Sequence, residues 1–221
     1  MVGFSNAYLI NTTSELAIRY NDMAVLENHH ASICFTLMNE PEVNLLQNFT
    51  KKQIRECRQS IIQCIIFTDM NRHSELIRSL KEHYELSWVS ELSSPVFSGD
   101  SKDHRLLLRN TIIHCADCSN AVLPELMYRK WATLFFQEMF EQSEMELKLG
   151  IPSHFKIDKP SEKNLAIMQV NLLNYVIVPL WDEFTCAFKD FLPQLERIRK
   201  NKEIFVSTDL GNTENVSTMV F

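Results

Sequence analysis

His114-Cys115-Ala116-Asp117-Cys118-Ser119-Asn120 closes a run rich in Leu and Ile that begins near Lys102. No Gly or Pro interrupts it, so the spacing predicts a helix from Lys102 to Ser119. On that helix His114, Asp117 and Asn120 fall three apart and share one face. Asp117 sits among Ile112, Ile113, Cys115 and Ala116. A carboxylate on a helix that packs into a core must be paired, capped or metal-bound. Two readings therefore fit Asp117: a hydrogen-bonded structural Asp near a helix C-terminus, or a metal ligand. Cys115 and Cys118 form a C-x-x-C, but they stand late in a helix and have no second Cys pair. That argues against both a redox motif and a zinc site.

Working outward, the punctuation is that of a helical protein. Thr12-Thr13-Ser14-Glu15 has the spacing of a capping box and predicts a helix start. A second helix is predicted from Val25 to Met38, broken at Asn39-Glu40-Pro41. Thr50-Lys51-Lys52-Gln53 is another capping box, opening a helix with a stripe of Ile54, Ile61, Ile62, Ile65 and Ile66. Ser74 to Tyr84 reads as amphipathic helix, and Ser93 to Asp100 as a loop. Pro124 opens a long helix to Leu149, ended by Gly150 and Pro152. Trp131, Phe135, Phe136 and Phe140 fall at helical spacing and read as core. Pro160-Ser161-Glu162 introduces a helix carrying Gln169, which Pro179 kinks or interrupts. A last helix is predicted from Trp181 to Lys200, followed by a polar, disordered tail over 201–221. No strand alternation is convincing, so the expected class is all-α.

Composition agrees. Four glycines in 221 residues leave little material for turns. The net charge of −6 argues against binding a nucleic acid backbone, which needs a basic surface. No apolar run reaches the roughly 18–20 residues of a membrane span, so none is expected. Six cysteines with no framework spacing suit a reduced, cytoplasmic setting. No G-x-G-x-x-G, P-loop or G-x-S-x-G is present, which removes the commonest nucleotide-binding and hydrolase motifs.

Two further polar features stand out. Glu27, Asn28, His29 and His30 cluster on a predicted helix, with Glu27 and His30 on one face. They read either as a metal or water site, or as an exposed polar face with one satisfied His. Gln169 lies among Ile167, Val170, Leu172 and Leu173, and a buried amide needs partners at both ends. A purine edge or a neighbouring backbone would serve.

Taken in order, these segments resemble the catalytic domain of class I cyclic nucleotide phosphodiesterases. Gly3-Phe4-Ser5-Asn6 looks like the end of the family's HDxDHxGxTN segment. Ser14-Glu15-Leu16-Ala17 with Tyr20-Asn21-Asp22 resembles its SELAxxYND run, and Leu26 to His30 its LENHH. Thr68-Asp69-Met70 matches TDM, and His114 to Asn120 matches HCADxSN. Gln169, with Tyr175 and Pro179-Leu180-Trp181 after it, matches the family's glutamine. The resemblance covers about residues 3 to 200, which reads as one partial catalytic domain over 1–200.

The resemblance implies a compact multi-helix fold of the HD superfamily and a site with two divalent metals, zinc plus magnesium or manganese. Such metals lower the pKa of a bridging water and neutralise phosphoryl charge. It implies Asp117 as a metal ligand and Glu27 and Thr68 as holders of metal-bound waters. It implies Gln169 at the purine edge and Asn120 at a base edge, with Leu172 where the family has a stacking Phe. The SELAI–YND–AVLE wording leans to branches that take cyclic AMP, with cyclic GMP the second expectation.

The resemblance also places the remaining metal ligands and the proton-donating histidine before Gly3. Of the protein ligands of the tighter metal only Asp117 stands in this chain. The expectation is a domain lacking its N-terminal helices, with impaired activity or none alone. A catalytically dead form acting as a helical interaction module, paired with a phosphodiesterase subunit, is the alternative.

Overall fold

Residues 3–89, 101–153, 157 and 159–207 are described by a computed structural model, and they contain helices and no strand. They fall into two compact units, Ser5–Ala116 and Asp117–Phe221, the latter including Met1–Phe4. The expected loop over 93–100 lies outside the described residues, as does the tail beyond 207.

In the first unit α1 (Asn6–Asn11) and α2 (Glu15–Tyr20) are each started by a serine. The Ser5 and Ser14 hydroxyls accept from the backbone N–H three residues on. The box expected at Thr12–Glu15 is thus displaced. Thr12 closes α1, its hydroxyl donating to the Tyr8 carbonyl at 2.8 Å, and Ser14 is the cap. Helix α1 is shorter than two turns and carried no periodic signal. Helix α3 spans Val25–Met38 as expected, ending before Pro41. Helix α4 (Lys51–Ile66) has the full capping box: the Thr50 hydroxyl accepts from the Gln53 N–H, and the Gln53 amide accepts from the Thr50 N–H. Its isoleucine stripe is only partly covered, and no residue of α4 is fully buried. The Arg58 guanidinium lies 4.1 Å over the Phe35 ring, joining α4 to α3.

Helices α5 (His73–Val89) and α6 (Lys102–Asp117) run antiparallel. Two histidine pairs show this: His73 meets His114, and ten positions along each helix His83 meets His104. Leu76 and Leu80, on the stretch of α5 between its two histidines, are buried at 1% and 0% exposure.

In the second unit α6 gives way to a 3₁₀ turn at Ser119–Val122. Helix α7 (Glu125–Leu149) then starts after Pro124 and stops at Gly150, whose φ of 67° is left-handed. The Ile151 N–H reaches back to the Glu146 carbonyl at 3.1 Å, closing a Schellman stop that only a residue tolerant of positive φ makes cheaply. Phe136, Met139, Ile157 and Met168 form a core cluster with Phe135, Phe140 and Leu165 beside it. Trp131 departs from the expected aromatic core and is 49% exposed.

Helix α8 (Glu162–Leu172) is capped by Ser161 and runs without a break into α9 (Val178–Ala187) through a π-turn at Leu173–Ile177. Pro179 therefore does not interrupt the helix. It lacks an N–H and its ring crowds the carbonyl four residues back, and a wider turn accommodates both defects. The helix expected from Trp181 to Lys200 is instead two. The chain leaves helical dihedrals at Phe188 (φ −128°, ψ 81°), makes a 3₁₀ turn at Lys189–Phe191, and starts α10 (Leu192–Val206) with Pro193 in its first turn. Helix also continues through Val206, into the segment expected to be tail.

Glu162–Ala187 is long and apolar enough, by length and composition, to cross a membrane. That corrects the expectation of no such stretch, which counted α8 and α9 as separate. Half of the qualifying window is buried inside the protein, including Ala166, Met168, Leu173, Leu180 and Phe184. This is the composition of a helix central to its own unit.

Candidate functional site

The site residues divide between the two units. In Ser5–Ala116, Glu27 lies in the first turn of α3, which begins from a left-handed Ala24 with no side-chain cap. Asn6 supplies that cap from α1. Its Oδ1 accepts from the Leu26 N–H at 2.9 Å, and its Nδ2 donates to Glu27 Oε2 at 2.8 Å. One amide thus satisfies an orphan helix donor and fixes the carboxylate. The sequence quoted Asn6 only as the end of a motif; a short polar residue ahead of a helix without its own cap was the available signal. Of the neighbouring histidines, His29 Nδ1 stands 3.5 Å from the Tyr20 hydroxyl, and His30 is exposed.

Thr68 follows the end of α4. Its hydroxyl donates to the Ile65 carbonyl at 2.8 Å, so its lone pairs remain available to accept from a water. Asp69 beside it is buried and caps the next turn through a 3.0 Å bond from the Asn71 N–H. His114, deep on α6, places Nε2 2.9 Å from Nδ1 of His73.

In the second unit Asp117 is the last residue of α6, and it is exposed. This corrects the expectation of a carboxylate forced into a core: solvent can hydrate it. Asn120 is not on the same helix face, because α6 ends at Asp117 and Asn120 belongs to the following 3₁₀ turn. That turn is held from α10. The Asn201 Nδ2 donates to the carbonyls of Ala121 and Leu123 at 2.8 and 2.9 Å. Cys118, between Asp117 and the turn, has its thiol pushed up to about 12, first by burial and then by the Asp117 charge. It is a neutral thiol, and all six cysteines are free.

Gln169 on α8 is buried at 1% exposure. The Tyr128 hydroxyl on α7 donates to its Oε1 at 2.8 Å. Its Nε2 is also buried and has no hydrogen-bond partner. Burial holds the Tyr128 phenol well above its ordinary value, so it stays a donor. Tyr128 was missed in the sequence, where attention went to the aromatics after it. Leu172, one turn beyond Gln169, is half-buried.

An open groove of about 460 Å³ in this unit is lined by Asn120, Trp131, Phe135 and Glu138 among others, but by neither Gln169 nor Leu172. Among the described residues no group of three or more His, Cys, Asp or Glu side chains is placed to hold a metal ion. Asp117, Glu27 and Thr68 therefore do not compose a two-metal centre by themselves.

The model of the 3'5'-cyclic nucleotide phosphodiesterase family matches residues 2–200. The chain is 34% identical over 206 residues to the 3',5'-cyclic-AMP phosphodiesterase 4C of Rattus norvegicus, covering 93% of this chain and 38% of that protein. It is 34% identical over 196 residues to the high affinity cGMP-specific 3',5'-cyclic phosphodiesterase 9A of Pan troglodytes, covering 89% of this chain and 30% of that one. The phosphodiesterase domain of Salpingoeca rosetta rhodopsin phosphodiesterase superposes with a TM-score of 0.83 at 28% identity, over 92% of this chain and 60% of that domain. The chain thus spans well under half the length of these curated relatives. An all-α fold, the ordered motifs and a family match over most of its residues place this chain in the 3'5'-cyclic nucleotide phosphodiesterase family.

Proposed function

We propose that this chain carries the nucleotide-recognition part of a metal-dependent phosphodiesterase that opens cyclic AMP to its 5'-monophosphate in the cytoplasm. The observation that carries the reading is the Tyr128–Gln169 pair. A buried amide nitrogen without a partner costs about 1–3 kcal/mol, and a purine edge would remove that cost. With Oε1 anchored by the Tyr128 hydroxyl, Nε2 is the free donor, and the second lone pair of Oε1 remains an acceptor. Adenine offers the matching set, a ring-nitrogen acceptor beside an amino donor. Leu172 would meet the base by apolar contact without a stacked ring. Asn120, on a turn fastened by Asn201, supports the same base.

The motif wording and the relative named for cyclic AMP favour that substrate; the relative named for cyclic GMP makes guanine the competitor in the test. Six free thiols suit a reduced compartment. The divalent metals would supply a lowered-pKa water and charge neutralisation. No step is routed through them, because the residues described do not assemble their site. We infer that the 221-residue chain alone binds the nucleotide without turning it over. Calorimetric titration with cyclic AMP and cyclic GMP, beside Gln169→Ala, tests this. Saturable binding that prefers cyclic AMP and is lost in the variant is expected. Binding that is indifferent to Gln169 overturns it, and hydrolysis by the chain alone overturns the inactivity.

One observation favours a second reading, a helical interaction module that pairs with a phosphodiesterase subunit. Met127, Trp131, Leu134 and Met145 on α7 are all at least 39% exposed, an apolar line on one helix. Sedimentation that finds only monomer up to high concentration, alone and with a phosphodiesterase subunit, sets this reading aside.

A further inference from the structure

Antiparallel α5 and α6 enclose a groove of about 360 Å³ at the end marked by His83 and His104. Phe67, just past the end of α4, and Leu107 make its apolar wall. The two imidazoles stand edge to face with centroids 4.2 Å apart. Glu82 and Asp103 line it as exposed carboxylates, and no Lys or Arg lines it at all. Asn110 lines it too, and this residue is 2% exposed, its Oδ1 buried without a hydrogen-bond partner.

That combination sets the sign and shape of a ligand. An orphan amide oxygen accepts only, so it calls for an N–H or O–H donor. Leaving it unmet costs on the order of 1–3 kcal/mol. Two carboxylates without a lining cation favour positive charge and repel an anion. Aromatic and imidazole walls favour a flat cation, which stacks on π-faces and sheds water more readily than an ammonium. A bare metal ion does not fit, since no three donor side chains among the described residues are placed to hold one.

We propose that this groove binds a small flat organic cation of the amidinium or guanidinium class. Its N–H groups reach Asn110 Oδ1, its charge lies between Glu82 and Asp103, and its flat body rests on Phe67, Leu107 and the paired imidazoles. None of these residues is among those assigned to the nucleotide, so this reading and that one fail independently.

The test is an NMR titration of the full chain with benzamidine, following the ring signals of His83 and His104. Neutral benzamide of the same shape is the control. A saturable shift of those two histidines is expected with benzamidine and not with benzamide. Glu82→Gln with Asp103→Asn, both at exposed positions, should weaken binding by about tenfold or more. Asn110→Asp, which keeps an acceptor, should bind at least as tightly as the parent. The proposal is overturned by no saturable shift, by equal response to benzamide, or by unchanged affinity in the Glu82/Asp103 variant.

Discussion

The Tyr128 hydroxyl donates to Gln169 Oε1 at 2.8 Å, tying α7 to α8 through two buried polar groups. A bond of this kind orients as well as stabilises. The Gln169 amide could otherwise present either end to a base.

Tyr128→Phe removes the donor and keeps the ring. It leaves Gln169 Oε1 buried and unmet, so urea unfolding should show a loss of about 1–3 kcal/mol. The released amide can turn, and the ratio of cyclic AMP to cyclic GMP affinity should move toward unity. A stability loss with the ratio unchanged would mean that Tyr128 does not orient the amide.

Asp117→Asn behaves differently, because this carboxylate is exposed. Its thermal stability should stay within about 0.5 kcal/mol of the parent. Any metal-stimulated hydrolysis, measured once the chain is supplied with the rest of a metal centre, should disappear. A variant that unfolds would show Asp117 to be structural.

Asn201→Ala cuts both bonds to the turn carrying Asn120. Two carbonyls lose a buried donor, and the expected cost is roughly 1–3 kcal/mol by thermal melting. Nucleotide affinity should fall with it at temperatures where the variant is still folded. Unchanged affinity would remove Asn120 from the base edge.

Cys118 gives a pH signature. Its thiol is pushed up to about 12 in the folded chain from an ordinary 9.0. The unfolded chain therefore loses this proton first, and binds fewer protons than the native state in between. The stabilisation is complete below about pH 9 and is lost as pH rises toward 12, at about 1.4 kcal/mol per pH unit. Tyr128, also raised by burial, adds the same sign at higher pH. Urea unfolding from pH 8 to 10.5 should show a shallower slope in Cys118→Ala. Equal slopes would place the thiol in contact with water.

Where local chemistry decides structure, the sequence was readable. Val25–Met38, the Thr50–Gln53 box and the long helix ended by Gly150 all follow from caps and breakers within a few residues. The misses have tertiary causes. Asn6 caps a helix that starts twenty residues later, a partnership no local window contains. Asn120 left its expected helix face because Asn201, far along the chain, fastens the backbone as a tighter turn. Asp117 looked core-bound among isoleucines, yet Ile112 and Ile113 are themselves 47% and 40% exposed. Gln169 was singled out for lying on an apolar helix. Its hydroxyl partner was not, since Tyr128 lies forty-one residues away.

The π-turn at Leu173–Ile177 fixes an angular offset between Gln169 and Trp181. An α-helix advances about 100° per residue, and a π-turn absorbs one extra residue without lengthening the ladder by a full step. Deleting Asn174, which is exposed, would restore a plain helix and swing everything after it by roughly that angle. Leu180, Trp181 and Phe184 would then rotate off their core positions while Gln169 stayed in place. In alignments of this segment, a one-residue gap near position 174 therefore marks a change of helical phase rather than a loop variation.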